Sequence, residues 1–129
     1  MEQLILAYYG ARQDSDIPAL MLIPCFVLDF LCIHPFLDGN GRVSRLLTVL
    51  LLYLSGYDIV RYISYEGQIS RYKDGYYEAL QVSSESWHEN RNDYVPFIIS
   101  TIKAPFFRLH KYVIKLLSCQ SVLLLLKCS

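Results

Sequence analysis

The stretch His34-Pro35-Phe36-Leu37-Asp38-Gly39-Asn40-Gly41-Arg42-Val43-Ser44-Arg45 decides how the rest of the chain is read. Pro35, Gly39 and Asn40 mark a loop, and helix-length apolar stretches flank it on both sides. Loops on a rigid scaffold are where reactive groups tend to sit. Gly39-Asn40-Gly41 leads straight into a helix, whose first turn carries unpaired N–H groups and a partial positive charge, together an anion site. The glycines permit the turn and let a phosphate come close to the backbone. Arg42 falls in the first helical turn, and Arg45 follows at i+3 on nearly the same face. Cations there oppose the helix dipole, which makes sense if an anion sits beside them. Asp38 adds a hard oxygen ligand next to that anion, as Mg²⁺ requires when it bridges a carboxylate and nucleotide phosphates. His34, ending the preceding helix, can accept a proton from an attacking hydroxyl near neutral pH.

Each of these residues has a plainer reading when taken singly. A histidine beside a proline is commonly packed or solvated, Gly-Asn-Gly is commonly a turn, and two arginines on a helix are commonly a wet face. Eight positions of fixed type at fixed spacing, however, rarely arise from turn chemistry alone.

Outward from the loop, the pattern is helical throughout. Residues 2–11 suit a short helix and 11–16 a polar connector. Asp16 before Ile17-Pro18 resembles an N-cap with proline in the first turn. The apolar helix from there to Ile33 contains one charge, Asp29, and a proline, Pro24, that should kink it. After the loop, a helix from Gly41 or Arg42 to Leu54 is surrounded by apolar residues from Leu46 on. That suits a central helix packed on several sides, with Gly56 as its C-cap glycine. Residues 57–63 read as an extended connector. Ser64 can cap a third helix to about Val82, with Tyr65, Ile69, Tyr72, Tyr76 and Leu80 at helical spacing; Gly67 and Gly75 weaken it. Residues 83–92 read as a loop. Asn92 or Asp93 can cap a fourth helix from Tyr94, broken or kinked at Pro105. Strand-type alternation is missing, so the class is all-α.

The bulk properties agree with one domain. The chain has 129 residues, 53% of them hydrophobic, with 12 basic and 12 acidic residues. A core is affordable, and the charge balance argues against a general nucleic-acid or membrane-surface binder. Cys25, Cys32, Cys119 and Cys128 form no C-x-x-C pair and lie in apolar stretches, where reduced cysteine acts as a small hydrophobe. No secretory signal opens the sequence and no apolar run spans a bilayer. A reducing, cytoplasmic setting is the expectation.

The quoted stretch resembles the signature of the Fic family, H-x-F-x-[D/E]-G-N-G-R-x-x-R, at every fixed position, His34 to Arg45. The likeness runs from about Ile17 to about Ile102 and includes Asp74-Gly-Tyr-Tyr-Glu-Ala-Leu80 and Pro96-Phe-Ile-Ile. It implies a compact Fic-type helical bundle and a protein adenylyltransferase. Such an enzyme moves AMP from ATP to a Ser, Thr or Tyr hydroxyl of a target protein, and pyrophosphate leaves. It implies that His34 is the general base and that Asp38 holds Mg²⁺ (or Mn²⁺) on the α- and β-phosphates. The backbone of Gly39, Asn40 and Gly41 would form the anion hole, Arg42 and Arg45 would face the outer phosphates, and Phe36 would anchor the loop in the core. Tyr76 and Tyr77, with Leu80 beside them, would line the adenine pocket; helical spacing alone equally makes them a core stripe.

The likeness also divides the chain. Residues 1–16 stand as a helix and connector upstream of the core, 17–103 as the Fic core, and 104–129 as an atypical apolar and basic tail whose spacing could give an amphipathic helix. The β-hairpin flap by which relatives dock a target is expected to be missing. The [S/T]-x-x-x-E-[G/N] pattern of inhibitory helices is not met, because Tyr62 and Glu85 stand where it needs Ser or Thr before Glu66-Gly67 and Glu89-Asn90. Restraint would then come from elsewhere, for instance a partner supplying a glutamate in trans. The alternatives are a non-catalytic remnant that binds nucleotide but docks no target, and a relative that transfers a different group.

Overall fold

The computed structural model describes residues 1–13 and 16–103. Among them the secondary structure is entirely helical: α1 (Glu2–Gln13), α2 (Ala19–Ile33), α3 (Asn40–Leu54), a 3₁₀ turn (Asp58–Arg61), α4 (Tyr65–Arg71), α5 (Lys73–Ser84), a second 3₁₀ turn (Trp87–Glu89) and α6 (residues 95–103). The all-α expectation holds. The expected kink at Pro105, the tail helix, Cys119 and Cys128 fall outside the described residues.

α2 is the buried axis. Its Ile23, Val27, Leu28 and Phe30 are almost wholly enclosed, each such burial contributing about 1.5–3 kcal/mol. It lies between α1 and α3 and packs most extensively on α3. Tyr8 of α1 meets Phe26 with ring centroids 4.9 Å apart, and α1 is tied to the end of α3 by a hydrogen bond from Arg12 to the Ser55 hydroxyl. The other side of the core is closed by Tyr65, Ile69, Tyr76 and Phe97, with the Tyr76 and Phe97 rings 5.6 Å apart.

Several elements differ from their sequence expectation. α2 starts at Ala19 with Pro18 as its N-cap residue, so Asp16 is not the cap. It remains one helix through Pro24, which is itself buried. The lost donor removes one hydrogen bond, and packing on both sides holds the helix together. Residues 58–61 form a 3₁₀ turn where an extended connector was expected. Ser64 does cap a helix, accepting from the Gly67 N–H at 3.1 Å, but this helix ends at Arg71. Tyr72, at φ −114° and ψ 31°, turns the chain into α5. The break falls at neither flagged glycine. Gly56 ends α3 at φ 91°, a left-handed conformation that glycine adopts without strain.

α3 corrects the sequence most sharply. Its buried line is Asn40, Ser44, Thr48 and Leu52, while Leu46 and Leu50 remain 70% and 49% exposed. It is not packed on several sides. The buried stripe is short and hydroxylated where it lies against the phenols of Tyr65 and Tyr76; Ser44 Oγ donates to the Gly41 carbonyl and Thr48 Oγ1 to the Ser44 carbonyl, both at 2.8 Å.

Candidate functional site

The loop between α2 and α3 is built by two left-handed residues. His34 caps α2 at φ 53° and ψ 57°, its N–H donating to the Phe30 carbonyl at 3.0 Å. Gly39 turns into α3 at φ 83°. Asn40 fixes the span between them. Its carboxamide accepts from the Phe36 N–H at 3.0 Å and donates to the Phe36 carbonyl at 2.6 Å. The Asn40 side chain is therefore a structural clamp, and only its backbone is free to meet a ligand. Phe36, expected in the core, is 51% exposed and reaches the Phe30 ring at 6.3 Å. The loop is anchored by the amide clamp instead.

The first intrahelical bond of α3 is the Val43 N–H to the Gly39 carbonyl, 3.0 Å. The N–H groups of Asn40, Gly41 and Arg42 precede it and have no acceptor within the helix. Asp38 stands beside them, one of its oxygens accepting from the Gly39 N–H at 2.7 Å. Its other oxygen is the one that could meet a cation. Among the described residues no three His, Cys, Asp or Glu side chains converge as a metal site. A magnesium ion held mainly by nucleotide phosphates needs only one or two protein carboxylates, so Asp38 fits that arrangement.

A cleft of about 500 Å³ opens beside this turn, lined by Leu31, Cys32, His34, Gly41, Ser44, Arg45, Tyr76, Tyr77, Leu80, Ser84, Trp87 and His88. Its size is that of a small-molecule site. Of the residues singled out from the sequence, His34, Gly41, Arg45, Tyr76 and Tyr77 line it; Asp38, Gly39, Asn40 and Arg42 lie outside its lining. The two arginines separate because three residues on a helix leave about 60° between side chains: Arg45 turns inward and Arg42 outward to solvent. Gly41 is matched to Arg45, since a Cβ there would stand 3.3 Å from the guanidinium. Tyr76 is buried and Tyr77 half exposed, so one is core and wall at once and the other wall alone.

The arginine charge on the cleft is already paired. Arg45 Nε donates to Glu66 Oε2 at 2.6 Å. That hydrogen bond raises the guanidinium's pKa against the opposing effect of burial. Burial pushes Tyr76 up to about 12, with Arg45 pulling the other way. Burial also raises the thiols of Cys25 and Cys32, the latter to about 11, with Asp29 adding to both; the two are free thiols.

Sequence reasoning missed the cleft's far wall. Ser84, Trp87 and His88 were assigned to a polar loop, yet α5 runs to Ser84 and a 3₁₀ turn places the next two residues in the lining. The signal available was the chain's single tryptophan inside that polar stretch.

A helix N-terminus preceded by a glycine turn, with an inward arginine and a histidine on one cleft, gives this helical domain the donors and positive charge that an anion would need. Residues 1–52 match the model of the Fic/DOC family. A Fido domain-containing protein of Dictyostelium discoideum is 33% identical over 63 residues, which is 49% of this chain and 40% of that protein. The chain thus spans about two fifths of that relative's length. The likeness to the Fic/Fido family therefore rests on the N-terminal part of the chain, including α2, the loop and most of α3. Among the described residues no helix is long and apolar enough to cross a membrane.

Proposed function

We propose that the chain is a nucleotidyltransferase that moves AMP from ATP to a Ser, Thr or Tyr hydroxyl of a target protein. The observation that carries this reading is the convergence of His34, Gly41 and Arg45 on one cleft at the N-terminus of α3. The three orphan N–H groups and Arg45 offer fixed positive charge to phosphates, which lowers the barrier where negative charge grows. His34 takes the proton of the incoming hydroxyl; its oxygen bonds to the α-phosphorus, and the bond from that phosphorus to the bridging oxygen breaks, releasing pyrophosphate. A divalent cation, which Asp38 would hold, supplies charge neutralisation on the phosphates. Tyr76, Tyr77 and Leu80 give the nucleoside an apolar wall.

The test is incubation with labelled ATP, Mg²⁺ and a protein mixture, beside His34→Ala. Removing a general base typically costs about 10²- to 10⁴-fold in rate, so labelling should fall to background while ATP binding persists, and excess chelator should stop it. Equal labelling by the variant would remove His34 from the chemistry. Binding of ATP with no labelling by the wild-type chain would leave a nucleotide-binding module in place of a transferase.

A further inference from the structure

The residue at the cleft's far end is Trp87, and nothing in the transfer chemistry requires it. Its position is nonetheless tightly specified. The indole Nε1–H donates to Asp29 Oδ1 at 2.7 Å. The Tyr94 hydroxyl donates to the same oxygen, also at 2.7 Å. Trp87 and Tyr94 lie near the two ends of the segment joining α5 to α6, so one carboxylate on the buried helix α2 pins the segment twice. Asp29 is the only charged residue of α2, and this pinning accounts for a charge on an otherwise apolar helix.

The cleft has two ends of different character. Tyr76 and Tyr77 sit at the Arg45 end, close enough for its charge to act on both phenols. From Tyr76 to Ser84, α5 advances about 12 Å at 1.5 Å per residue, and Trp87 follows in the next turn. The cationic end and the indole end are therefore two helical turns apart along one wall. An indole has a single donor; with that donor given to Asp29, only the ring's π-face is left for a ligand. His88 stands edge-on to it, ring centroids 5.1 Å apart at 79°, and lines the same cleft.

We propose that Trp87 is the stacking platform for the purine base of the nucleotide, and that Asp29 is the positioning residue that fixes the ring for it. The inference rests on the nucleotide reading of the cleft and adds its specificity element. Recognition is by the π-face, so a larger base is favoured over a smaller one.

The chain has one tryptophan and 11 tyrosines, so fluorescence excited at wavelengths beyond the tyrosine absorption reports on this indole alone. Titration of the full chain with ATP should quench the emission, whereas tripolyphosphate, with the phosphates and no base, should bind by calorimetry without quenching. Trp87→Ala should weaken ATP by about 5- to 100-fold, the range that base–aromatic stacking supplies, and leave tripolyphosphate unchanged. Trp87→Phe should restore most of the loss. Asp29→Ala should weaken ATP in the same direction and shift the indole emission to the red. UTP should bind more weakly than ATP to the wild type, and the gap should close in Trp87→Ala. Equal loss of ATP and tripolyphosphate in Trp87→Ala would reduce the indole to a structural prop and overturn the proposal, as would ATP binding without any change in emission. Both of those results would leave the nucleotide reading intact. Failure of the wild-type chain to bind either compound would overturn that reading and this inference together.

Discussion

At Arg45 the phosphates of the proposed nucleotide would have to compete with a carboxylate already in place. The Arg45 side chain is 14% exposed and its partner Glu66 63% exposed, so solvent screens the pair from one side and its net strength stays modest. Exposed pairs contribute about 0.2–1 kcal/mol, which corresponds to at most about a 5-fold effect on a competing ligand. Glu66→Gln should accordingly tighten ATP by about 2- to 5-fold and leave AMP unchanged, since AMP lacks the outer phosphates. Arg45→Lys should do the reverse for ATP, because an ammonium cannot span two phosphate oxygens as a guanidinium does. Calorimetry with both nucleotides checks it; equal changes for ATP and AMP would mean that the pair shapes the loop and does not gate the phosphates. The pair was hidden from the sequence for a definite reason. Glu66 lies 21 residues after Arg45, and a pattern requiring Ser or Thr before the glutamate passes over Tyr62. What joins the two is the 3₁₀ turn and the Ser64 cap, and an extended connector would have sent Glu66 elsewhere.

The loop before α3 shows how an element is held by a residue type other than the obvious one. From the sequence, Phe36 is the natural anchor, because an aromatic ring between two apolar helices has much to gain from burial. The structure gives the task to Asn40, whose carboxamide matches the Phe36 N–H and carbonyl together. Asparagine was legible as a turn former, but a clamp four residues back is invisible until the loop closes. Asn40→Ala should destabilise the fold by about 1–3 kcal/mol, the typical cost of leaving buried polar groups unpaired. It should also weaken phosphate binding, since the orphan N–H groups of the first turn lose their fixed direction. Phe36→Ala should cost well below the about 3–5 kcal/mol of a fully enclosed phenylalanine. Denaturant midpoints measure both, and a larger loss from Phe36→Ala would restore the ring as the anchor. The helices themselves were readable where local chemistry decides: the Ser64 cap, the Gly56 terminus and the apolar stripe of α2. The split at Tyr72 and the turn at Trp87 carry no such marker. They depend on the long-range contacts of Tyr76 with Phe97 and of Asp29 with Trp87 and Tyr94.

Across the whole molecule, α3 divides two environments that its sequence makes look alike. Leucines populate all sides of the helix after Ser44, so hydropathy alone points to burial all round. The buried direction is set by partners instead: the hydroxyls of Ser44 and Thr48 meet Tyr76 and Tyr65, and the opposite side carries Val43, Leu46, Leu50 and Tyr53 along a shallow apolar groove. The formal net charge is zero, so no long-range repulsion keeps copies of the chain apart. An exposed apolar strip on a molecule without net charge favours self-association. Leu46→Lys with Leu50→Glu should therefore raise solubility and lower the average mass seen by light scattering at neutral pH. The pair adds one charge of each sign at i and i+4, which a helix tolerates. It should leave helical content unchanged, because both side chains are solvent-facing. It should also leave ATP affinity unchanged, because Gly41, Ser44 and Arg45 lie on the other side of the helix, roughly 100–180° away at 100° per residue. Loss of helical signal in the double variant would mean that the strip is buried in solution, and a fall in ATP affinity with the helix intact would mean that α3 turns differently between cleft and groove.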